Sequence, residues 1–513
     1  MIKGYDDLSL QSFNLWSTIK VEKYCRSLSD VSDYHLVESL HCANELLSRR
    51  GLSSALQQFA LQSYNNSLNK LIRAQRSGLL QNEKIIISYD NPEQFTLAQD
   101  IIALDTRLTP SILGEIGIPI TIERNNTETG SDKYLPLEGI FEDAGITLSS
   151  FELFEDKKLL HITLQVHCAS TKKLVTLGSN DYTIRHSPSS AYLSLIEQAD
   201  IDNYSWLGFV SAAQAEKRRG VFAINGLSST KIPVIMIHGL NSDPLIWRHL
   251  TTAMLNDPAL VAKYQIWHVY YPSGPPPFYN AALLRSNIRE LLHDIGNPEL
   301  NKQAVIVGHS MGGLVANLLT TNTDYKLWDA TFKQRPEYVV SKQDTLVKDI
   351  FTFEPIFEKN TVFFLDTPFK GSDVANSFIG QLGAFLISLP QDFTLIFKRF
   401  LGRVGPDILT EKMRPFLIDF GPSSVQVLRP GHPLMDALYK LPIKGEAYAI
   451  IGSNSGILDC EQNNDCRGIS DGVVSYDSAN YSHAVERIIV KSSHDSYKSV
   501  SAIEFILKKL RAK

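Results

Sequence analysis

From about Tyr204 to its end the chain predicts a doubly wound, mostly parallel α/β sheet with helical cap insertions, behind an N-terminal region that is first helical and then β-rich. Three observations carry this. Short apolar runs alternate with amphipathic stretches, as strands and crossover helices do in a parallel sheet. One run, Ala304 to Val307, leads into Gly308-His309-Ser310-Met311-Gly312 and then into apolar residues at helical spacing (Leu314, Val315, Leu318, Leu319). The residues able to do chemistry fall just after such runs, where open α/β sheets place their ligand sites.

At 513 residues the chain exceeds one ordinary core. The expected regions are a helical one over 1–80, a β-rich accessory domain over 81–200, and the α/β domain over 201–513. Apolar residues make up 43% and charged residues 20%, the balance of a folded protein, and a net charge of −5 gives no footprint for nucleic acid. The first residues lack an apolar core with a small-residue cleavage site, and no run is long enough to span a membrane. The expectation is therefore either a cytoplasmic protein or one exported by a route the sequence does not display.

Residues to about Leu80 are expected as helices. Leu36, Leu40, Ala43 and Leu47, then Leu52, Leu56, Phe59, Leu68 and Leu71, mark apolar faces on either side of a break at Arg49-Arg50-Gly51. From Lys84 the period changes. Strands are expected at 85–87, 118–122, 151–154, 161–167 and 174–184, forming an antiparallel sheet, with His161 and His167 as structural histidines. Cys25, Cys42 and Cys168 read as scattered small apolar residues, whereas Cys460 and Cys466 bracket a polar loop and stand open between free thiols and a disulfide. The acidic residues of that loop match no EF-hand spacing, so no metal is assigned.

In the α/β region strands are expected at 232–237, 265–271, 304–307, 362–366, 447–451 and 487–491, with helices at 278–295 and 499–510 among the connections. The G-x-S-x-G sequence at 308–312 reads as a sharp strand-to-helix turn that lifts the Ser310 hydroxyl above the sheet edge, with glycines where side chains would collide. A serine nucleophile needs a base, an acid that orients the base, and donors for the oxyanion. The strand at 232–237 ends in His238-Gly239-Leu240, so the backbone N–H groups of Leu240 and Met311 are expected to form the oxyanion hole, with His238 supporting the loop. Asp471, beside Gly472 at a turn, is the expected acid. Asp459, Asp465 and Asp477 are rivals, and Asp366, at the end of another strand, is the structural alternative. His494 follows the last strand and is preferred as base over His483, which precedes it. No cofactor or metal is needed.

Two long excursions, at about 325–358 and 373–442, are expected as a cap that shapes an apolar acyl pocket. The second is rich in Phe385, Leu386, Leu389, Phe393, Leu395, Phe397, Phe400 and Leu401. Tyr271-Pro272-Ser273-Gly274 and the three prolines after it read as a rigid loop on the same rim.

From about Pro233 to the C-terminus the chain resembles the lipase/esterase branch of the α/β-hydrolase superfamily. The resemblance rests on VIMIHGLNSDP, GHSMGG, FFLDTPFKGSDVA, SDGVVSYDSA and the final SSH, in family order. Within that branch it is similar to bacterial lipase-like hydrolases with an N-terminal extension, themselves distantly similar to GPI-inositol deacylase. The resemblance implies Ser310, Asp471 and His494 as a triad. Phe369 stands where the family often has His after Thr-Pro, and it touches no triad position. The activity expected is hydrolysis of carboxylic esters through an acyl-enzyme, on an ester or lipid substrate and in peripheral contact with a lipid surface. Acyl transfer by the same residues, and a catalytically inactive hydrolase fold used for binding, are the alternatives.

Overall fold

The computed structural model describes residues 11–28, 33–80, 84–90, 94–103, 105–154, 158–198, 216–372, 391–419, 423–460 and 466–513. The chain divides into two compact units, Met1–Asn125 with Glu138–Gln198, and Asn126–Leu137 with Ala199–Lys513.

In the first unit, helices α1 (Thr18–Ser27), α2 (Asp33–Ser48) and α3 (Ser54–Arg76) precede a five-stranded sheet. Its strands are β1 (Ile85–Tyr89), β2 (Phe95–Leu97), β3 (Ile118–Arg124), β4 (Ile140–Phe154) and β5 (Leu159–Cys168), in the order β1-β5-β4-β3-β2. The helices and the sheet share one apolar core, in which Leu40, Leu47 and Tyr64 pack with Ile120, Ile146 and Ile162. The sheet is mixed rather than purely antiparallel, because β1 pairs with β5 in parallel. The stretch 174–184 is a separate hairpin, β6 (Leu174–Leu177) and β7 (Asn180–Thr183), folded at Gly178. The unit closes on a helix, α4 (Pro188–Gln198), in a region expected to be β-rich. Pro at its first position suits a helix start, where its missing N–H costs nothing. Cys25 and Cys42 are joined in a disulfide between α1 and α2, which corrects their reading as plain apolar residues. Their pairing across two helices leaves no local trace in the sequence. Cys460 and Cys466 are also bonded, and Cys168 forms no disulfide.

The second unit is built on a seven-stranded sheet. Its strands are β8 (Gly220–Ala223), β9 (Ile232–Ile237), β10 (Tyr264–Tyr270), β11 (Gln303–His309), β12 (Lys359–Leu365), β13 (Gly445–Ser453) and β14 (Glu486–Lys491). The order is β14-β13-β12-β11-β9-β10-β8, parallel except for β8 at the edge. Strands β9 to β12 are almost wholly buried, as β-branched and aromatic runs covered on both faces must be. The chain runs outward from β9 to β10 and then returns to the other side of β9 with β11. That reversal makes the gap between β9 and β11 a topological switch point, where such sheets open a crevice at their carboxyl ends.

Helix α5 (Pro277–Ile295) leads back across the sheet, α6 (Met311–Thr320) follows the serine turn, and α7 (Val500–Arg511) closes the chain. Every residue of α6 is buried, which suits its central place against β11, β12 and β9. The first excursion folds into short helices at Lys326–Thr331, Pro336–Val339 and Thr345–Phe351, and the second includes Gln391–Val404 and Pro433–Tyr439. The two excursions pack on each other through Trp328, Phe332, Phe351, Phe397 and Phe400, whose rings meet mostly edge to face. Phe385, Leu386 and Leu389 lie outside the described residues. No described helix is long and apolar enough to cross a membrane.

Candidate active site

Ser310 sits between β11 and α6 with φ +52° and ψ −125°, a backbone conformation L-residues rarely adopt and one that costs on the order of 1–3 kcal/mol. The glycines around it make that turn possible. A Cβ on Gly308 would lie 2.6 Å from the Gly312 carbonyl oxygen, and one on Gly312 would lie 2.3 Å from the carbonyl oxygens of Ile237 and His238. The turn is held by the Ser310 N–H, which donates to the Leu365 carbonyl at 2.8 Å.

The structure brings the three residues expected from sequence to one rim. The Ser310 hydroxyl lies 2.9 Å from Nε2 of His494, and His494 Nδ1 lies 2.7 Å from Oδ2 of Asp471. The other carboxylate oxygen of Asp471 accepts from the backbone N–H groups of Val473 and Val474, each at 2.7 Å. Those two donors fix the carboxylate plane, and the carboxylate in turn fixes the imidazole. Asp471 is almost fully buried (side chain 1% exposed), whereas the His494 ring is 21% exposed and so reaches both Ser310 and solvent. Burial pulls the His494 imidazole pKa down, but the bond to Asp471 and the charges of Asp471, Asp366 and Asp495 outweigh it and hold the ring above the ordinary histidine value.

The rivals fall elsewhere. Asp477 is exposed and paired with Lys370, and His483 is exposed against Tyr481 at the opposite end of β14. Asp465 lies outside the described residues. Asp366 is close to the site but bonds backbone amides of Gly452 and Ser496 rather than His494.

The loop after β9 lies against the serine, since a Cβ on Gly239 would meet Ser310 Cβ at 3.0 Å. Neither the Leu240 nor the Met311 amide donates to a protein acceptor among the described hydrogen bonds. The Met311 N–H opens α6, where the helix dipole adds positive potential. His238 supports this loop from beneath. Its Nδ1–H donates to the Gly239 carbonyl at 3.0 Å, its ring stacks on Tyr271 at 4.4 Å, and the Tyr271 hydroxyl donates to its carbonyl at 2.6 Å. Burial pushes the His238 pKa down to about 4, against the pull of the Gly239 bond, so the ring is neutral at ordinary pH and holds no charge over the site. Ser273 Oγ accepts from the Asn241 N–H at 3.0 Å, and Asn280 donates to the carbonyls of Pro272 and Pro275. The proline loop is therefore a brace for the loop after β9. Sequence reading gave it no such partner, because its contacts are long-range.

Sequence reading also missed His309, which is buried with its ring centroid 4.9 Å from that of His494. Burial, with His494 adding to it, depresses its pKa far below the usual histidine range, so it faces the site neutral. Phe369, where a histidine was noted as usual for the resemblance, stacks on Tyr481 at 4.7 Å and meets Phe364 edge-on at 5.0 Å.

Helices of both excursions and the start of α5 enclose an apolar cavity of about 30 Å³, lined by Phe278, Ile350, Phe351, Phe397, Met413 and Leu434 among others.

Residues 234–451 match the model of the alpha/beta hydrolase family, and the second unit of this chain has the α/β-hydrolase fold. Among solved structures, the chain is similar to the mature form of the lipase BlEst2 from Bacillus licheniformis, at 16% identity over 56% of this chain and 97% of that one, with a TM-score of 0.33. A lipase-esterase related protein from Clostridium acetobutylicum matches at 11% identity over 57% and 98%, with a TM-score of 0.31. An alpha/beta superfamily hydrolase from Oenococcus oeni matches at 13% over 57% and 96%, with a TM-score of 0.28. Values this low carry nothing about substrate. No curated protein matches the sequence significantly.

Proposed function

We propose that this α/β hydrolase cleaves carboxylic esters, with Ser310 as nucleophile, His494 as general base and acid, and Asp471 as the residue that orients the base. The observation that carries the reading is the unbroken chain from Ser310 Oγ through the His494 ring to the Asp471 carboxylate, at 2.9 and 2.7 Å. The sequence of events follows from the positions. His494 Nε2 takes the hydroxyl proton as Ser310 Oγ adds to the ester carbonyl, and the negative charge of the tetrahedral adduct develops beside the Leu240 and Met311 N–H groups. The imidazolium gives its proton to the leaving alcohol. Water, deprotonated by the same ring, then releases the acid from the acyl-enzyme. Asp471, bonded to Nδ1, keeps the proton there, so that Nε2 remains the acceptor.

An acyl-chain ester is the substrate class implied by the sequence resemblance alone, because the cavity between the two excursions, about 30 Å³, has no room for an acyl chain. The test is Ser310→Ala. Turnover of p-nitrophenyl butyrate is expected to vanish while the thermal unfolding transition stays in place. Undiminished turnover in that variant removes the assignment.

A further inference from the structure

The end of β12 carries a second acidic side chain that the triad does not use. Asp366 is fully buried, has φ +50°, and lies between the strand that presents Ser310 and the strand that precedes Asp471. Its Oδ1 accepts from the Gly452 N–H at 2.7 Å and its Oδ2 from the Ser496 N–H at 3.2 Å. Oδ2 also stands 3.8 Å from His309 Nε2, and an oxygen of Asp366 and ring nitrogens of His309 and His494 lie within 4.8 Å of one another. Gly452 is the hinge of the arrangement. A Cβ there would lie 3.0 Å from Asp366 Oδ1 and 2.9 Å from Asp471 Cβ, so only a glycine lets both acids close on the same backbone.

A carboxylate this deep is costly unless something answers its charge. Among the described residues no lysine or arginine lies within ion-pair distance of it. The ring at 3.8 Å, His309, is held neutral by burial, so the cation it can serve is the imidazolium of His494, within 4.8 Å. If the position required only an acceptor for two amides, an uncharged side chain would do.

We infer that Asp366 is a positioning residue for His494: it holds the loop that carries the imidazole by bonding the Ser496 amide, and it lends a second negative charge that favours the protonated ring. This rests on the reading of Ser310 as nucleophile and His494 as base. The groups that face the pair are Asp471 after β13, His309 before the serine, His238 after β9, and Asp495, Tyr497 and Lys498 beside His494. Burial, with the charge of Asp471 next, pushes the Asp366 carboxyl up to about 6, against His494 and the Ser496 and Gly452 amides. The charges of Asp471 and Asp366 both favour the protonated imidazole. Below its own pKa the ring carries the proton and cannot act as base, so the acid limb of activity reports how strongly the two carboxylates hold that proton.

The experiment compares wild type, Asp366→Asn and Asp366→Glu. The pH midpoint of His494 is read in two ways, from the rate of labelling by a fluorophosphonate and from the downfield Nδ1–H proton resonance of the Asp471–His494 pair. Asp366→Asn keeps the acceptor for Gly452 but loses the charge, and its midpoint is expected to fall by about 1 unit, the lower end for an opposite charge within hydrogen-bonding neighbourhood. Asp366→Glu keeps the charge, and its midpoint is expected to stay near that of wild type even if turnover drops. A midpoint in Asp366→Asn equal to that of wild type overturns the inference, as does an equal fall in both variants. Wild type that is never labelled sinks the nucleophile reading instead, and the proton resonance still reports on Asp366.

Discussion

Asp471→Asn is the substitution whose consequence follows most directly from the geometry. The side chain is 1% exposed, and its two oxygens have different duties. Oδ1 takes two backbone N–H groups, from Val473 and Val474 at 2.7 Å each, while Oδ2 faces His494 Nδ1 at 2.7 Å. An asparagine amide keeps its oxygen with the two N–H donors, because turning it over leaves both unpaired at roughly 1–3 kcal/mol each. The NH₂ group then points at Nδ1, donor against donor. The imidazole escapes by moving its proton to Nε2, which donates to Ser310 Oγ and is lost as a base. The same exchange in another serine hydrolase costs about 10⁴ in kcat, roughly 5.4 kcal/mol at 1.36 kcal/mol per tenfold. The expectation here is a fall of about 10³ to 10⁴ in kcat for p-nitrophenyl butyrate, with KM changed little and the unfolding midpoint nearly retained, since no cavity is made. A fall of less than about tenfold in a folded variant refutes the reasoning. It would mean that another group orients His494.

Two further perturbations separate the turn and the cross-links. Gly312→Ala places a methyl group 2.3 Å from the carbonyl oxygens of Ile237 and His238, so the end of β9 must move. We expect a loss of about 1–3 kcal/mol in stability and, because Leu240 moves with the strand, a fall in kcat approaching about 10²; equal melting temperature and equal turnover contradict this. The disulfides Cys25–Cys42 and Cys460–Cys466 leave one of five cysteines unbridged, so unfolded, unreduced protein should titrate one thiol and reduced protein five. A count of three before reduction removes one of the bonds.

What could be read from the sequence was what local pattern encodes. The strand runs 232–237, 304–307 and 487–491 are apolar and short, and each is bounded by residues that end it, so their positions were legible to within two residues. Strand β4 is fifteen residues long, yet only its last four were expected, because Glu142, Asp143 and Gly145 interrupt its first half. Those residues are tolerated there for tertiary reasons: a Cβ on Gly145 would strike the Arg185 carbonyl at 2.3 Å, and Asp143 bonds His186 and the Ser187 amide. The edge strand β8, four residues long, is defined by its antiparallel pairing with β10 rather than by any period of its own. The parallel pairing of β1 with β5 was hidden for the same reason.

The candidate site divides along the same line. Ser310, Asp471 and His494 were accessible because glycine neighbours and strand ends mark their turns, and because their order along the chain limits the choices. Asp366 looked from sequence like an alternative acid for the same role. Its bonds to Gly452 and Ser496, and the closeness of Asp471 across one glycine, exist only once β12 and β13 lie side by side. The brace of Ser273 and Tyr271 under the loop after β9 is equally a product of folding.

The account stands on Ser310 being an activated nucleophile, and covalent labelling measures that with no assumption about substrate. Purified protein treated with a fluorophosphonate should gain one adduct, mapped by mass spectrometry to the peptide containing Ser310, and Ser310→Ala should gain none. Native, folded protein that takes up no label, or carries it on a different residue, contradicts the account.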